Sequence, residues 1–314
     1  MKFQDYRRGF TFIELLFVIV IMGIVGGIAL EAIRQYYEGI YRTQEYSKRV
    51  AEADHILEQV SKYFENAISS SIVNLDQTMG EGVCYGPPTA GDVSDYTVAF
   101  IGVDNDSMRG ISGSRPGWSE ETTLGAGNVI TALDANYTMA GNVIHALDIN
   151  SPADITGSAL YDADSVDVNA CSRFGLNGGV TGSAGFHRIT ASAPTALTLN
   201  TVENNATDGK RKYLLRTGYA FRVDDNGIFR MYSNFQPWIA ERYTVATNQN
   251  ILGQNVAHFY ADYNATDFMA NPGVSDRGLV WRLKVCMRGL DNNLSASDVE
   301  SQAICRERRV HVRY

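Results

Sequence analysis

Apolar residues fall into three regimes along this chain. From Leu15 to Leu30 they run without a charge, as LLFVIVIMGIVGGIAL. From Val50 they thin to a stripe at Val50, Ala53, Leu57, Val60, Phe64 and Ile68, with spacings of 3, 4, 3, 4 and 4. Those spacings keep the side chains on one face of an α-helix. Beyond Tyr96 they gather into short strand-like runs bounded by turn residues. The first proline is Pro87, so only Gly23, Gly26 and Gly27 interrupt the helical pattern. The reading is one helix from Phe10 to about Ile68, roughly 90 Å long at 1.5 Å per residue. The three glycines either weaken it, by about 1 kcal/mol each relative to alanine, or let other helices approach closely.

The strand-like runs are Tyr96–Val103, Lys212–Val223, Ile228–Phe235, Asn255–Asn264, Gly278–Leu290 and Ala303–Tyr314. Asp224–Gly227, DDNG, reads as the turn of a hairpin with Asn-Gly chemistry. One helix followed by runs of strands predicts an α+β fold with a mainly antiparallel sheet. The helix divides at about residue 34 into an apolar half, 10–34, and an amphipathic half, 35–70. Residues 71–314 form the β-rich domain. Within it, 104–208 is an insert rich in Gly, Ala, Ser, Thr, Asn and Asp. The insert contains AGNVITALDAN at 126–136 and AGNVIHALDIN at 140–150. Two copies are too few for a solenoid. They predict two similar strands or turns in a surface insert, where loops can carry a binding role.

Charge and chemistry narrow the function classes. Formal net charge is −8 over 314 residues, which argues against general nucleic-acid binding. Arg306, Arg308, Arg309 and Arg313, with Glu307 among them, alternate with apolar residues as on the outer face of a strand. The chain has no Walker A loop, no G-x-G-x-x-G after a strand, no H-E-x-x-H and no complete nucleophile elbow. Its five histidines lack zinc-ligand spacing. Four cysteines, Cys84, Cys171, Cys286 and Cys305, permit three pairings. Cys286 and Cys305 flank a polar loop between two strand-like runs and are the preferred pair, leaving Cys84 with Cys171. Asp104–Ser107 lacks the glycine and final glutamate of an EF-hand. Asp162, Asp164 and Asp167 are weak calcium candidates, weighed against solvated loop acids.

The N-terminal run poses a specific question. Extended back to Phe10 it reaches the roughly 20 residues that span a bilayer, but it then encloses Glu14. A carboxylate within a span costs about 2.5–3.5 kcal/mol near its centre unless it is paired. Near a helix end it can snorkel. The leader MKFQDYRRG carries Lys2, Arg7 and Arg8, which places it on the cytoplasmic side by the positive-inside rule. The residues after the core, EAIRQYYEG, do not form a secretory cleavage site.

Basic leader, Gly9, Phe10-Thr11-Phe12-Ile13-Glu14 and an apolar helix together resemble the class III signal of type IV pilins and type II secretion pseudopilins. Phe12 departs mildly from the common F-T-L-I-E. The resemblance implies cleavage between Gly9 and Phe10 by a prepilin peptidase, removal of residues 1–9, and N-methylation of Phe10. It makes Glu14 the fifth residue of the mature chain, facing the free α-amine of a neighbouring subunit. Opposite charge favours the ionised carboxylate. Family members often have a proline further along the helix, where this chain has Glu31. The strand order after the helix is also similar, more loosely, to minor pseudopilins.

The resemblance implies a minor pseudopilin or minor pilin with no catalytic residues and no required cofactor. Its partners would be other pilin or pseudopilin subunits, the prepilin peptidase, an inner-membrane assembly platform and membrane lipid. The chain would cross the inner membrane once, with its N-terminus cytoplasmic and its domain periplasmic or extracellular. The tip subunit of type II secretion pseudopili lacks the mature-position-five glutamate; Glu14 therefore aligns this chain with the other minor subunits. Two alternatives stay open. One is a type IV pilus adhesin, major pilin or DNA-uptake pseudopilin, where nucleic acid enters as a partner. The other is a membrane-anchored periplasmic enzyme.

Overall fold

A computed structural model describes residues 11–76, 96–108, 115–119, 122–125, 127–147, 154–162, 174–176, 186–200, 212–246, 248–263, 280–289 and 303–312. Helix α1 spans Phe12–Phe64, 53 residues, or about 80 Å. It ends four residues short of Ile68, the last apolar position on its stripe. The cause is competition from a strand. The Ile68 amide donates to the Ile101 carbonyl at 2.9 Å, and Ala67 bridges Gly102. Ile68 is buried, but as the start of sheet pairing and not as a further helical turn.

Thirteen strands follow among the described residues. They are β1 (Val73–Asp76), β2 (Tyr96–Val103), β3 (Thr123–Leu124), β4 (Val129–Thr131), β5 (Ala159–Asp162), β6 (Phe186–Ala193) and β7 (Ala196–Leu199). Then come β8 (Lys212–Val223), β9 (Phe229–Ser233), β10 (Asn248–Gly253), β11 (Val256–Tyr263), β12 (Val280–Met287) and β13 (Ile304–His311). Ten of them form one sheet in the order β1-β2-β8-β5-β6-β7-β4-β3, with β9 on β8 and β10 on β9. The remaining three form a sheet β11-β12-β13. The pairings are antiparallel. The fold is α+β and pilin-like: a long N-terminal helix on an antiparallel sheet domain.

Strand β8 is the spine. Its 12 residues pair with β2 on one side, and with β5 and then β9 on the other. Because it is covered on both faces, its residues do not alternate cleanly between buried and exposed. One face meets α1. There Ile56, Leu57, Val60 and Phe64 pack with Phe100 of β2, Phe221 of β8, Phe229 of β9, and Phe259 and Leu283 of the small sheet. The other face forms a second core with Ile101, Leu160, Ile189 and Leu214, closed by the insert through Ile130, Tyr137 and Ile144. The insert is therefore not a surface appendage. Its β5 lies beside the central strand, and its apolar residues complete that second core.

The duplicated segment departs from expectation. The first copy forms β4, paired with β7 through Ile130 opposite Leu197. The described part of the second, 140–147, lies in a helix, α3 (Tyr137–Leu147). Neighbours decide this. Asn136, the last residue of the first copy, accepts the Met139 amide on its side chain at 3.2 Å and caps α3. Gly127 in the first copy has φ +73. Its counterpart Gly141 sits in the helix, where an added Cβ would lie 2.9 Å from the Asp154 backbone. The same glycine thus serves a turn in one copy and a close approach in the other.

The β8–β9 hairpin also differs in detail from a two-residue Asn-Gly turn. Asn226 keeps a negative φ while Gly227 has φ +76, and the Gly227 amide donates to the Asp224 carbonyl at 2.8 Å. Asp224 Oδ1 accepts the amides of Asn226 and Ile228 at 3.0 and 2.8 Å. This is the longer hairpin built on a type I turn with glycine in the left-handed position.

Phe64 is fully buried, with its ring 4.6 Å from Phe100 and 6.0 Å from Phe221. Phe64→Ala is expected to lower stability by about 3–5 kcal/mol. Phe12→Ala, at an 81% exposed position, is expected to leave the domain's denaturant midpoint unchanged. Chemical unfolding of the detergent-solubilised chain followed by tryptophan fluorescence checks both.

Candidate functional site

The N-terminal helix is the candidate site, and its geometry begins at Thr11. Thr11 is in extended backbone, with φ −77 and ψ 146, just before α1. The Glu14 amide donates to the Thr11 carbonyl at 3.0 Å, which places Glu14 in the first helical turn. Free N–H groups there favour a negative charge. Thr11 and Glu14 have capping-box spacing, but Thr11 makes no side-chain cap bond. Glu14 is exposed, and among the described residues no cation pairs with it.

The helix from Phe12 on is long and apolar enough to cross a membrane, and its most apolar stretch is not buried within the chain. The helix then continues as a stalk before it reaches the domain. Arg34 pairs with Glu38 at 2.9 Å. Tyr36, Tyr37 and Tyr41 are 68%, 56% and 67% exposed. Together with Ile33 and Ile40 they share one side of the helix. At about 100° per residue, that side lies close to half a turn from the stripe Ala53, Ile56, Leu57, Val60 and Phe64. The stalk therefore turns its aromatic face away from the chain's own domain.

Where helix meets domain, Asp54 takes the Arg306 guanidinium through two hydrogen bonds, at 2.9 and 3.2 Å. Arg306 lies on β13, which packs beside α1. By the period of two, Arg308 shares its face and Arg309 the opposite one. All three are exposed, but they divide between two faces instead of sharing the outer one, because Arg306 turns to Asp54 of α1; Arg313 lies outside the described residues. On that opposite face a disulfide joins Cys286 to Cys305, which are cross-strand partners in the ladder.

The other candidates scatter. Gly9, Phe10, Cys84, Cys171, Asp164 and Asp167 lie outside the described residues. Asp162 is far from a solvated loop acid: it is 3% exposed at the end of β5, with its carboxylate on Lys212 Nζ and 3.5 Å from His187 Nε2. Burial pushes its pKa up; the His187 and Lys212 interactions more than offset this, so it lies below the ordinary value. A cation at Asp162 would have to displace the lysine, so the calcium reading loses this ligand. Among the described residues no cluster of three or more metal-binding side chains occurs.

Sequence reasoning missed two features. One is the Asp162–His187–Lys212 triad, whose members are 25 residues apart in chain, with Asp162 and His187 in the insert and Lys212 at the head of a strand-like run. The other is a cleft of about 220 Å³ lined by Lys62, Tyr63, Asp104, Arg216 and Tyr219 among others. Arg216 is the residue skipped in a β-bulge between β2 and β8. Asp104 bonds the Ser107 hydroxyl. Burial raises its pKa, against the lowering effects of Ser107 and Arg216.

Residues 5–30 match the family model for the prokaryotic N-terminal methylation motif. The chain thus carries a prepilin-type signal, and its N-terminal helix is that of a type IV pilin-like protein. Searches of curated proteins and of solved structures return no match.

Asp104 has a folded pKa above its unfolded value of 3.8. Its protonation therefore favours the fold, and that contribution is lost as pH rises through the folded pKa. Asp104→Asn is expected to raise the thermal midpoint at pH 7, with the gain disappearing as pH falls to about 4. Paired melts of the two proteins across that range check the sign.

Proposed function

We propose that this chain is a non-catalytic structural subunit of a pilus-like filament, of the minor pseudopilin or minor pilin class. In this reading the peptidase cuts between Gly9 and Phe10 and the new N-terminus is methylated. The chain waits in the inner membrane, crossing once, with its domain outside the cytoplasm. An assembly platform then draws it into the filament. The observation that supports this most directly is the methylation motif at residues 5–30 leading straight into an uncovered helix.

The physical logic has two parts. In the membrane, the apolar residues of α1 meet lipid; in a filament they meet other helices, which bury the same area with better packing. Glu14 gives that packing a register. Its carboxylate sits in the first helical turn and would take the methylated amine of an adjacent subunit as its counter-ion. Removal of one partner of such a buried pair costs about 3–5 kcal/mol, because the other charge stays desolvated. The outward face of Tyr36, Tyr37 and Tyr41 extends the available contact surface beyond the membrane. A domain of about 245 residues after the helix favours a specialised minor position over a bulk repeating one.

Mass spectrometry of the mature N-terminal peptide is expected to find N-methyl-Phe10 and no residues 1–9. An intact leader in cells that contain the peptidase would sink the proposal. Glu14→Val is expected to be cleaved normally yet lost from sheared filaments, as read by immunoblot of the two fractions. Its normal incorporation would remove the assembly role. In the wild-type sheared fraction the chain is expected at trace level; dominance there would make it a major pilin.

A further inference from the structure

Asp162 closes β5 and Lys212 opens β8, and the two are directly opposite in the antiparallel ladder. His187 on β6 stands opposite Leu160, diagonal to Asp162. By the period of two, the three side chains share a sheet face with Leu160, Ile189 and Leu214. All six residues are buried; Asp162, His187 and Lys212 are 3%, 1% and 5% exposed. Lys212 Nζ is in direct contact with Asp162 Oδ1. His187 Nε2 lies 3.5 Å from the other carboxylate oxygen, Oδ2. An amine, a carboxyl and a proton carrier are thus held together in an apolar layer.

An ion pair in such a layer loses hydration that its mutual attraction only partly restores. A neutral link between the same two groups removes that penalty. We propose that Lys212 and Asp162 condense after folding into an intramolecular amide bond, with His187 as the proton carrier. The reaction begins from the ammonium and the carboxylate. His187 passes one proton from Nζ to Oδ2, leaving a neutral amine beside a carboxylic acid. This shuffle changes neither the net charge nor the number of protons in the triad, so the ionised resting state of Asp162 does not bar it. The Nζ lone pair then attacks Cγ, and the Nζ–Cγ bond forms. A second proton travels from Nζ through His187 to Oδ2. The Cγ–Oδ2 bond breaks and Oδ2 leaves as water. Oδ1 remains as the amide oxygen. Two protons leave nitrogen and both depart in the water, so no oxidant, reductant or cofactor is required.

The link would span 50 positions of sequence and tie the insert's β5 to the central strand. Closing a loop of that size removes conformations from the unfolded chain. His187 is a positioning and proton-carrying residue in this scheme, and its own strand partner is Leu160.

The test uses the full chain, purified in detergent, reduced, alkylated and digested with chymotrypsin. The expected result is a branched peptide joining the Asp162 and Lys212 segments, lighter than their sum by one water. Recovery of the two segments only as separate linear peptides from folded protein overturns the proposal. Lys212→Arg is expected to abolish the branched species; its persistence would mean that the link lies elsewhere. His187→Gln, checked for native circular dichroism, is expected to yield mostly unlinked peptides. Full linking in that variant removes His187 from the reaction. Should His187→Gln fail to fold, the rate of linking in freshly refolded wild type, measured against pH, decides the same point: a rate unaffected by protonation of an imidazole overturns its role.

Discussion

The last four turns of α1 bind the two halves of this molecule to each other. Up to about residue 49 the helix has exposed surface all round. From Ala53 to Phe64 it lays one apolar stripe on aromatic side chains drawn from β2, β8, β9 and the small sheet. Phe64, Phe100 and Phe221 meet there at 4.6–6.0 Å. Such ring contacts add about 0.5–1.5 kcal/mol each beyond area burial. Because the same stripe touches both sheets, it also fixes how the sheets stand relative to each other. Asp54 and Arg306 mark the edge of this contact, where a solvent-screened surface ion pair adds little. Burial holds the helix, and charge trims its placement.

Much of this is legible in the amino-acid sequence. The stripe from Val50 to Phe64 fixed the face of α1 that packs, because a helix has only one way to align spacings of three and four. All six strand runs match strands to within a few residues, since their turn residues bound them. The helix end did not follow, because Ile68 fits both the stripe and a strand, and pairing with Ile101 prevailed. The insert was misjudged for a related reason. Its small polar composition resembles a loop, yet a few residues such as Ile130, Tyr137, Ile144 and Leu160 suffice to cover one sheet face. Tertiary contact outweighed composition.

The candidate site divides in the same way. Glu14 stands out in sequence because a charge beside an unbroken apolar run has no local reason to be there. The Asp162–His187–Lys212 triad has no such contrast. Each member sits in a different segment, and only strand register brings them together. The Cys286–Cys305 pair was readable because the two cysteines flank one connection, so a hairpin sets them opposite each other. Distance in sequence, more than chemistry, separates what could be read from what could not.

The twin segments of the insert carry a wider lesson about growth by duplication. Nine residues are shared between the two stretches of eleven, yet Val129–Thr131 of the first form a strand while 140–147 of the second lie in a helix. Neither copy dictates its own shape; each takes the one that the adjoining surface leaves room for. A domain whose sheet is already ordered by β8 can therefore absorb new sequence without new folding instructions. It lends the newcomer a conformation, and the second core can be extended piecemeal while the helix on the opposite sheet face stays as it was.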